Sequence, residues 1–151
     1  MNQVVLLDTG PLGLVTNPNR TAATLACTQW LQSMLSAGVR VMIPEIADYE
    51  VRRELLRANK SRGILRLDEL IVLTEYLPIT TEAMRQAAQL WAQARQQGKP
   101  TAADLALDGD VILAAQAITL RSRTAVIATT NVKHLARFAP AQVWHEINTA
   151  S

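Results

Sequence analysis

The stretch VVLLDTGPLG, residues 4–13, decides how the rest of the chain is read. Val4 to Leu7 is a continuous apolar run of strand formers, the pattern of a strand buried on both faces, and Gly10, Pro11 and Gly13 oppose its continuation as a helix. Asp8 therefore ends a buried strand, and Thr9 with Gly10 is expected to form the turn that follows. An acid placed there before Thr-Gly has three chemical readings: half of a protease aspartate dyad, a phosphotransferase nucleophile, or a metal ligand. The elements around it and the positions of the other acids have to separate them.

Outward from this strand, Leu25, Thr28, Leu31, Met34 and Leu35 recur at helical spacing between Thr21 and Ala37, and Gly38 supplies the stop. A second strand is expected at Val39–Ile43, closed by Pro44. EIADYEVRRELLRAN (residues 45–59) then reads as a helix with Ala47, Val51, Leu55 and Ala58 on one stripe and Glu50 at its border. A further helix is predicted over Ile64–Tyr76, a strand over Leu77–Ile79, and a helix to Gln97 that Thr81 and Glu82 open in capping style. GKPTAADLALDGD (98–110) reads as a turn-rich connection into a buried helix, VILAAQAITL (111–120), with Asp110 at its N-terminus. TAVIATT (124–130) is a predicted strand, NVKHLARF (131–138) a short helix and AQVWHEI (141–147) a final strand. Such alternation implies one α/β domain over residues 1–151, its parallel sheet of about five strands flanked by helices on both faces. Ligands of such sheets bind beyond the carboxyl ends of the strands, where Asp8 sits and the Thr130–Asn131 turn emerges.

Composition narrows the class. Of 151 residues, 49% are hydrophobic and 19% charged, without low-complexity tracts, which excludes a disordered chain and suits a single compact core. Cys27 has no partner for an internal disulfide, and no apolar run approaches the roughly 18 residues needed to span a bilayer. The N-terminus carries no secretory signal pattern, so a cytoplasmic protein without membrane contact is expected. Net charge is only +2, yet six of the fifteen Lys and Arg residues fall between positions 52 and 66. That clustering suits either a solvated helix face or a surface for a polyanion.

The protease reading needs two aspartates sharing one proton on all-β halves, and the helical periodicity of the chain opposes it. A haloacid-dehalogenase-like phosphotransferase places its nucleophile after the first strand but needs a second acid two residues on, where this chain has Gly10. Lys99 or Lys133 and the Asp108/Asp110 pair can imitate its later motifs, which keeps it as an alternative with Asp8 as nucleophile. In the third reading Asp8, Glu50 and Asp110 converge on one rim of the sheet. Crowded carboxylates raise one another's pKa unless a cation neutralises them, and an oxygen-only donor set suits Mg²⁺ or Mn²⁺. On a phosphodiester, such a centre polarises the phosphoryl oxygen and activates water.

These residues resemble a known family. VVLLDTGPLG looks like the opening of a PIN domain, and IPEIADYEVRREL resembles its Ile-Thr-x-x-Glu-Leu region with Glu50 in the acidic position. DGDVILAAQA is similar to its Asp-x-x-Ile-Ala-Ala helix, and IATTNVKHLARF to its Thr-x-Asn-x-x-x-Phe segment. The match runs from Val4 to about Phe138 and is most similar to the VapC toxins of bacterial toxin–antitoxin pairs. The resemblance implies a Mg²⁺- or Mn²⁺-dependent endoribonuclease that dimerises and pairs with an antitoxin. It makes Asp8, Glu50 and Asp110 the acidic triad, with Asp8 and Asp110 as metal ligands and Asp108 as a further or substitute ligand. A fourth acid is often found where this chain has Asn131, so Thr9 and Asn131 are taken as supporting residues. Arg52, Arg53 and Arg57 are the candidates for the RNA backbone or for an acidic segment of the antitoxin. The departure at Asn131 keeps a non-catalytic PIN-like module, binding RNA or protein, as the other alternative.

Each of these residues also has an ordinary role. Asp8 suits a turn, Glu50 an ion pair with Arg53 or Arg57, and Asp110 and Asn131 suit helix caps. His134 and His145 read as surface residues, and Trp30, Trp91 and Trp144 as core or interface residues.

Overall fold

A computed structural model of the chain describes residues 3–98, 104–122 and 124–149, with backbone only at 104–106. Its elements are β1 (Val4–Leu7), α1 (Thr9–Thr16), α2 (Ala22–Ser36), β2 (Arg40–Pro44), α3 (Glu45–Arg57) and α4 (Ser61–Leu73). They continue with β3 (Glu75–Leu77), α5 (Thr81–Gln96), α6 (Asp104–Thr119), β4 (Ala125–Thr129), β5 (Ala141–Val143) and a 3₁₀ turn at Trp144–Glu146. The five strands form one sheet in the order β3-β2-β1-β4-β5, and every pairing is parallel. The expected α/β architecture is therefore present.

Alternation along β1 divides the core in two, because successive side chains of a strand point to opposite faces. Val4 and Leu6 pack with Met42 and Ile127 under α5 and α6. Val5 and Leu7 pack with Val41, Ile43 and Ala128 under α1 to α4. All four β1 residues are at most 2% exposed, as a central strand covered on both faces requires. Among the described residues, no helix is long and apolar enough to cross a membrane.

Five local expectations are corrected. Residues 9–16 form helix α1, not a turn: Pro11 sits in the first turn, where its missing N–H is no loss. Burial of Leu12 and Val15 then outweighs the cost of Gly10 and Gly13, about 1 kcal/mol each. Helix α6 begins at Asp104, so Asp110 lies inside the helix and is not its cap; residues 99–103 of the predicted connection, Lys99 included, fall outside the described residues. Leu107 and Val111, one turn apart and both buried, carry that helix through the Asp-Gly-Asp sequence. NVKHLARF forms tight turns, with Asn131 Oδ1 accepting from Lys133 N at 3.0 Å. The last strand stops at Val143, where Trp144 turns back to meet Trp30 edge-on, the ring centroids 5.7 Å apart. Strand β3 lies two residues earlier than expected, fixed by Met42 standing opposite Glu75 and by the Arg40–Glu75 ion pair.

Candidate active site

Asp8 is the N-cap of α1 at the carboxyl end of the central strand. Its Oδ1 accepts from Thr9 N at 2.7 Å, and its Oδ2 accepts from the Thr129 hydroxyl at 2.7 Å. Asp8 N donates to Ala128 O at 2.9 Å, which ties the backbone here to β4. The carboxylate is thus aimed by two neighbouring parallel strands and one helix start. Gly10 permits this approach, because a Cβ there would stand 2.5 Å from Thr130 Cγ2. A second acid two residues after Asp8 would need that space, which weighs against the phosphotransferase alternative.

Glu50 projects from the second turn of α3 and Asp110 from the interior of α6, and the two helices pack against each other. Burial raises the Glu50 carboxyl above its ordinary range, and the charges of Asp8 and Asp110 add to the rise, while Arg53 opposes it. Burial likewise pushes Asp110 up to about 6, with the charge of Asp8 adding and those of His134 and Arg137 opposing. The charge of Asp8 therefore reaches both Glu50 and Asp110, and that of Asp110 reaches Glu50. Among the described residues, however, no group of three or more His, Cys, Asp or Glu side chains is gathered so that it could hold a metal ion as it stands. The donor chemistry fits a hard divalent cation, because three half-buried carboxylates lack enough positive partners of their own. Closing around a cation requires the side chains to move together.

Asp108 does not join them. Two residues before Asp110 on a helix, it points the opposite way, is exposed, and lines a groove between α5 and α6 with Met84, Trp91 and Ile112. The oxygen of the Asn131 side chain serves the turn at Lys133, and its backbone N–H donates to Thr129 Oγ1 at 3.2 Å. Its link to the site runs through Thr129. Arg52 bridges Asp48 at 3.0 Å and Asp68 at 2.8 Å, joining α3 to α4. Arg53 lies 3.8 Å from Glu50 and over the Tyr49 ring, and Arg57 pairs with Glu54 at the surface. Arg53 and Arg57 face the site's margin; Arg52 is committed to packing.

Three contributors escaped the sequence reading. Thr129, 2% exposed, holds Asp8 and was visible only as the first Thr of the Thr-x-Asn segment. Gly109 lets α6 pass beneath Glu50, since a Cβ there would stand 2.5 Å from Oε2; between two aspartates it had the look of a turn. His134, read as a surface residue, brings its charge to Asp110 and has a buried Nδ1 without a hydrogen-bond partner among the described residues.

No family model and no curated protein matches the sequence. Solved structures do. VapBC2 from Rickettsia felis, bound to a DNA fragment from its promoter, superposes with a TM-score of 0.73 at 17% identity, over 94% of this chain and 99% of that one. FitAcB from Neisseria gonorrhoeae gives 0.69 at 21% identity, over 95% and 99%. DNA-bound VapBC from Salmonella typhimurium gives 0.66 at 20% identity, again over 95% and 99%. The chain has the PIN-like fold. In that fold the carboxyl edge of the sheet presents Asp8, and the packing of α3 on α6 presents Glu50 and Asp110 beside it.

Proposed function

We propose that this chain is a Mg²⁺- or Mn²⁺-dependent endoribonuclease, the toxin of a cytoplasmic toxin–antitoxin pair. The observation that carries the reading is the approach of carboxylates from three separate elements: the charge of Asp8 reaches both Glu50 and Asp110, and burial and like charge raise those two. Asp8 and Asp110 would hold the cation, with Glu50 beside them, and the cation would supply Lewis acidity to a phosphodiester. Asp8 keeps a fixed orientation because Oδ1 accepts from Thr9 N and from the Thr9 hydroxyl, while Oδ2 accepts from Thr129 alone among the described residues and keeps a lone pair to offer. Glu50 and Asp110, raised toward neutrality, are basic enough to take a proton from an attacking water. Arg53 and Arg57 stand where a phosphate backbone would pass, and their surface ion pairs are weak enough to exchange for phosphate.

Likeness to VapBC and FitAcB structures supports an antitoxin partner, and exposed Met84 and Trp91 on α5 supply apolar surface for a homodimer. The decisive experiment is Mn²⁺-dependent cleavage of a mixed RNA pool by the wild type, Asp8→Asn and Asp110→Asn. Loss of cleavage in both variants, with folding intact, is expected; undiminished cleavage would refute the assignment. The engagement of Asn131 in its own turn favours the non-catalytic alternative, which predicts RNA binding without cleavage.

A further inference from the structure

A cavity of about 590 Å³ adjoins the carboxylates without helping to hold them. Thr9 and Glu50 stand in its wall, so it is continuous with the acidic site. From there it follows α3 toward Lys60, over about 10 Å at 1.5 Å per residue. Val51, buried, and Leu55, half-buried, give it an aliphatic wall. Across from them α1 presents Gly13, where an added Cβ would meet nothing within 4 Å. Arg57 and Lys60 stand at its far end. The ion pair of Arg57 with Glu54 is between exposed side chains, and Lys60 makes no ion pair among the described residues.

These features match one nucleotide better than they match a peptide or a duplex. The volume is within the usual range for small-ligand cavities, and an aliphatic wall suits the flat face of a base. Cations beyond that wall suit the next phosphate of the strand. A base in a duplex remains stacked, whereas single-stranded RNA can splay one out. Resting on the nuclease reading, we infer that the cavity receives one unstacked base of a single-stranded RNA, beside the phosphodiester at Asp8, Glu50 and Asp110. Gly13 sets which bases fit.

Gly13→Leu fills the cavity from a position with open space, and Gly13→Ala is the milder variant should the larger one fail to fold. In a helix interior neither replacement loses intrinsic stability, since Gly is a poorer helix former than either Ala or Leu. Mapping Mn²⁺-dependent cuts on a single-stranded RNA randomised in sequence should reveal a base preference at one position beside the cut. Gly13→Leu should erase that preference and slow cleavage of the preferred RNA by about tenfold or more, the scale of one pocket contact. A second measurement follows backbone amide shifts of Gly13, Val51 and Leu55 on titration with the four nucleoside 5′-monophosphates without metal; the shifts should vanish in Gly13→Leu at residues 51 and 55. Identical cut sites and rates in wild type and variant would overturn the inference while leaving the nuclease intact. Nucleotide-dependent shifts sensitive to Gly13, in a wild type that cuts no RNA, would sink the nuclease reading and keep the cavity as a base site. Neither cleavage nor shifts would overturn both.

Discussion

Asp48 and Glu50 stand two residues apart on α3 in opposite electrical surroundings. Asp48 accepts from Arg52 Nε at 3.0 Å and from the Tyr76 hydroxyl at 2.7 Å, and Arg52 reaches on to Asp68. Its charge is answered by partners on its own helix and on β3, and the network draws α3, α4 and β3 together. Glu50 has Arg53 at 3.8 Å, too far for a hydrogen bond, and two carboxylates pressing on it. The acid rich in partners is architecture. The acid short of them is held in place by the rest of the fold against its own repulsion, which is the condition under which an external cation lowers the energy most.

The largest effects should come from exchanging these two environments. Glu50→Gln is expected to reduce Mn²⁺-dependent RNA cleavage by about 10²-fold or more, the usual weight of a positioned proton acceptor. Its unfolding midpoint in urea should not fall, because a repelled charge has been removed. Asp48→Asn should do the reverse, lowering stability by about 2 kcal/mol as Arg52 and Tyr76 lose a charged partner, with cleavage by the folded protein retained. If instead Glu50→Gln unfolds the protein, or Asp48→Asn abolishes cleavage, the division between the two acids is wrong.

Local sequence does not show which partners set Asp48 apart from Glu50, and this marks where legibility ends. The β1 run was readable because a strand buried on both faces must be apolar throughout, and alternation of elements then implied the parallel sheet. The acids Asp8, Glu50 and Asp110 were readable because each falls at the carboxyl edge or on a helix packed over it. Partners distant in sequence were not. Tyr76 meets Asp48 from 28 positions away, and Thr129 meets Asp8 from 121. Gly109 and helix α1 misled for a shared reason: glycine signals a turn when read locally, yet here it admits a close approach or tolerates a helix stabilised by burial elsewhere. Asp108 stayed a further or substitute ligand beside Asp110 in the sequence because the early start of α6, which turns the two to opposite sides, is not legible there.

Asp110 sharpens the comparison through pH. Its carboxyl is pushed up to about 6 in the folded chain, against about 4 when unfolded. Between those values the folded state binds more protons than the unfolded state, so stability contributed at this residue falls as pH rises. The penalty is absent below about pH 4 and complete above about pH 6; solvent screening at this half-buried side chain limits it to about 1 kcal/mol. Asp110→Asn should therefore stabilise the metal-free protein by about that amount at pH 7.5 and by nothing near pH 4, measured as urea midpoints at both values. A destabilised variant at pH 7.5 would mean that His134 and Arg137 already answer the charge of Asp110 in full. Saturating Mg²⁺ should narrow the difference at pH 7.5, since a cation relieves the wild type alone.

The smallest effect on stability belongs to Arg57, and it separates the arginines as the acids were separated. Arg52 is drawn between two carboxylates and has 29% of its side chain exposed, whereas Arg57 has 73% exposed and, among the described residues, pairs with Glu54 alone. Exposed pairs of that kind contribute about 0–1 kcal/mol, so Arg57→Ala should leave the urea midpoint almost unchanged. If Arg57 meets a phosphate, the same variant should weaken binding of single-stranded RNA and reduce the steepness of its salt dependence by about one counterion. Arg52→Ala should show the opposite balance, losing stability with little change in salt dependence, because its charge is consumed inside the protein. Equal salt slopes for wild type and Arg57→Ala would move the strand off this end of α3 and leave the basic cluster free for a protein partner, whose binding would then be the quantity that Arg57→Ala changes.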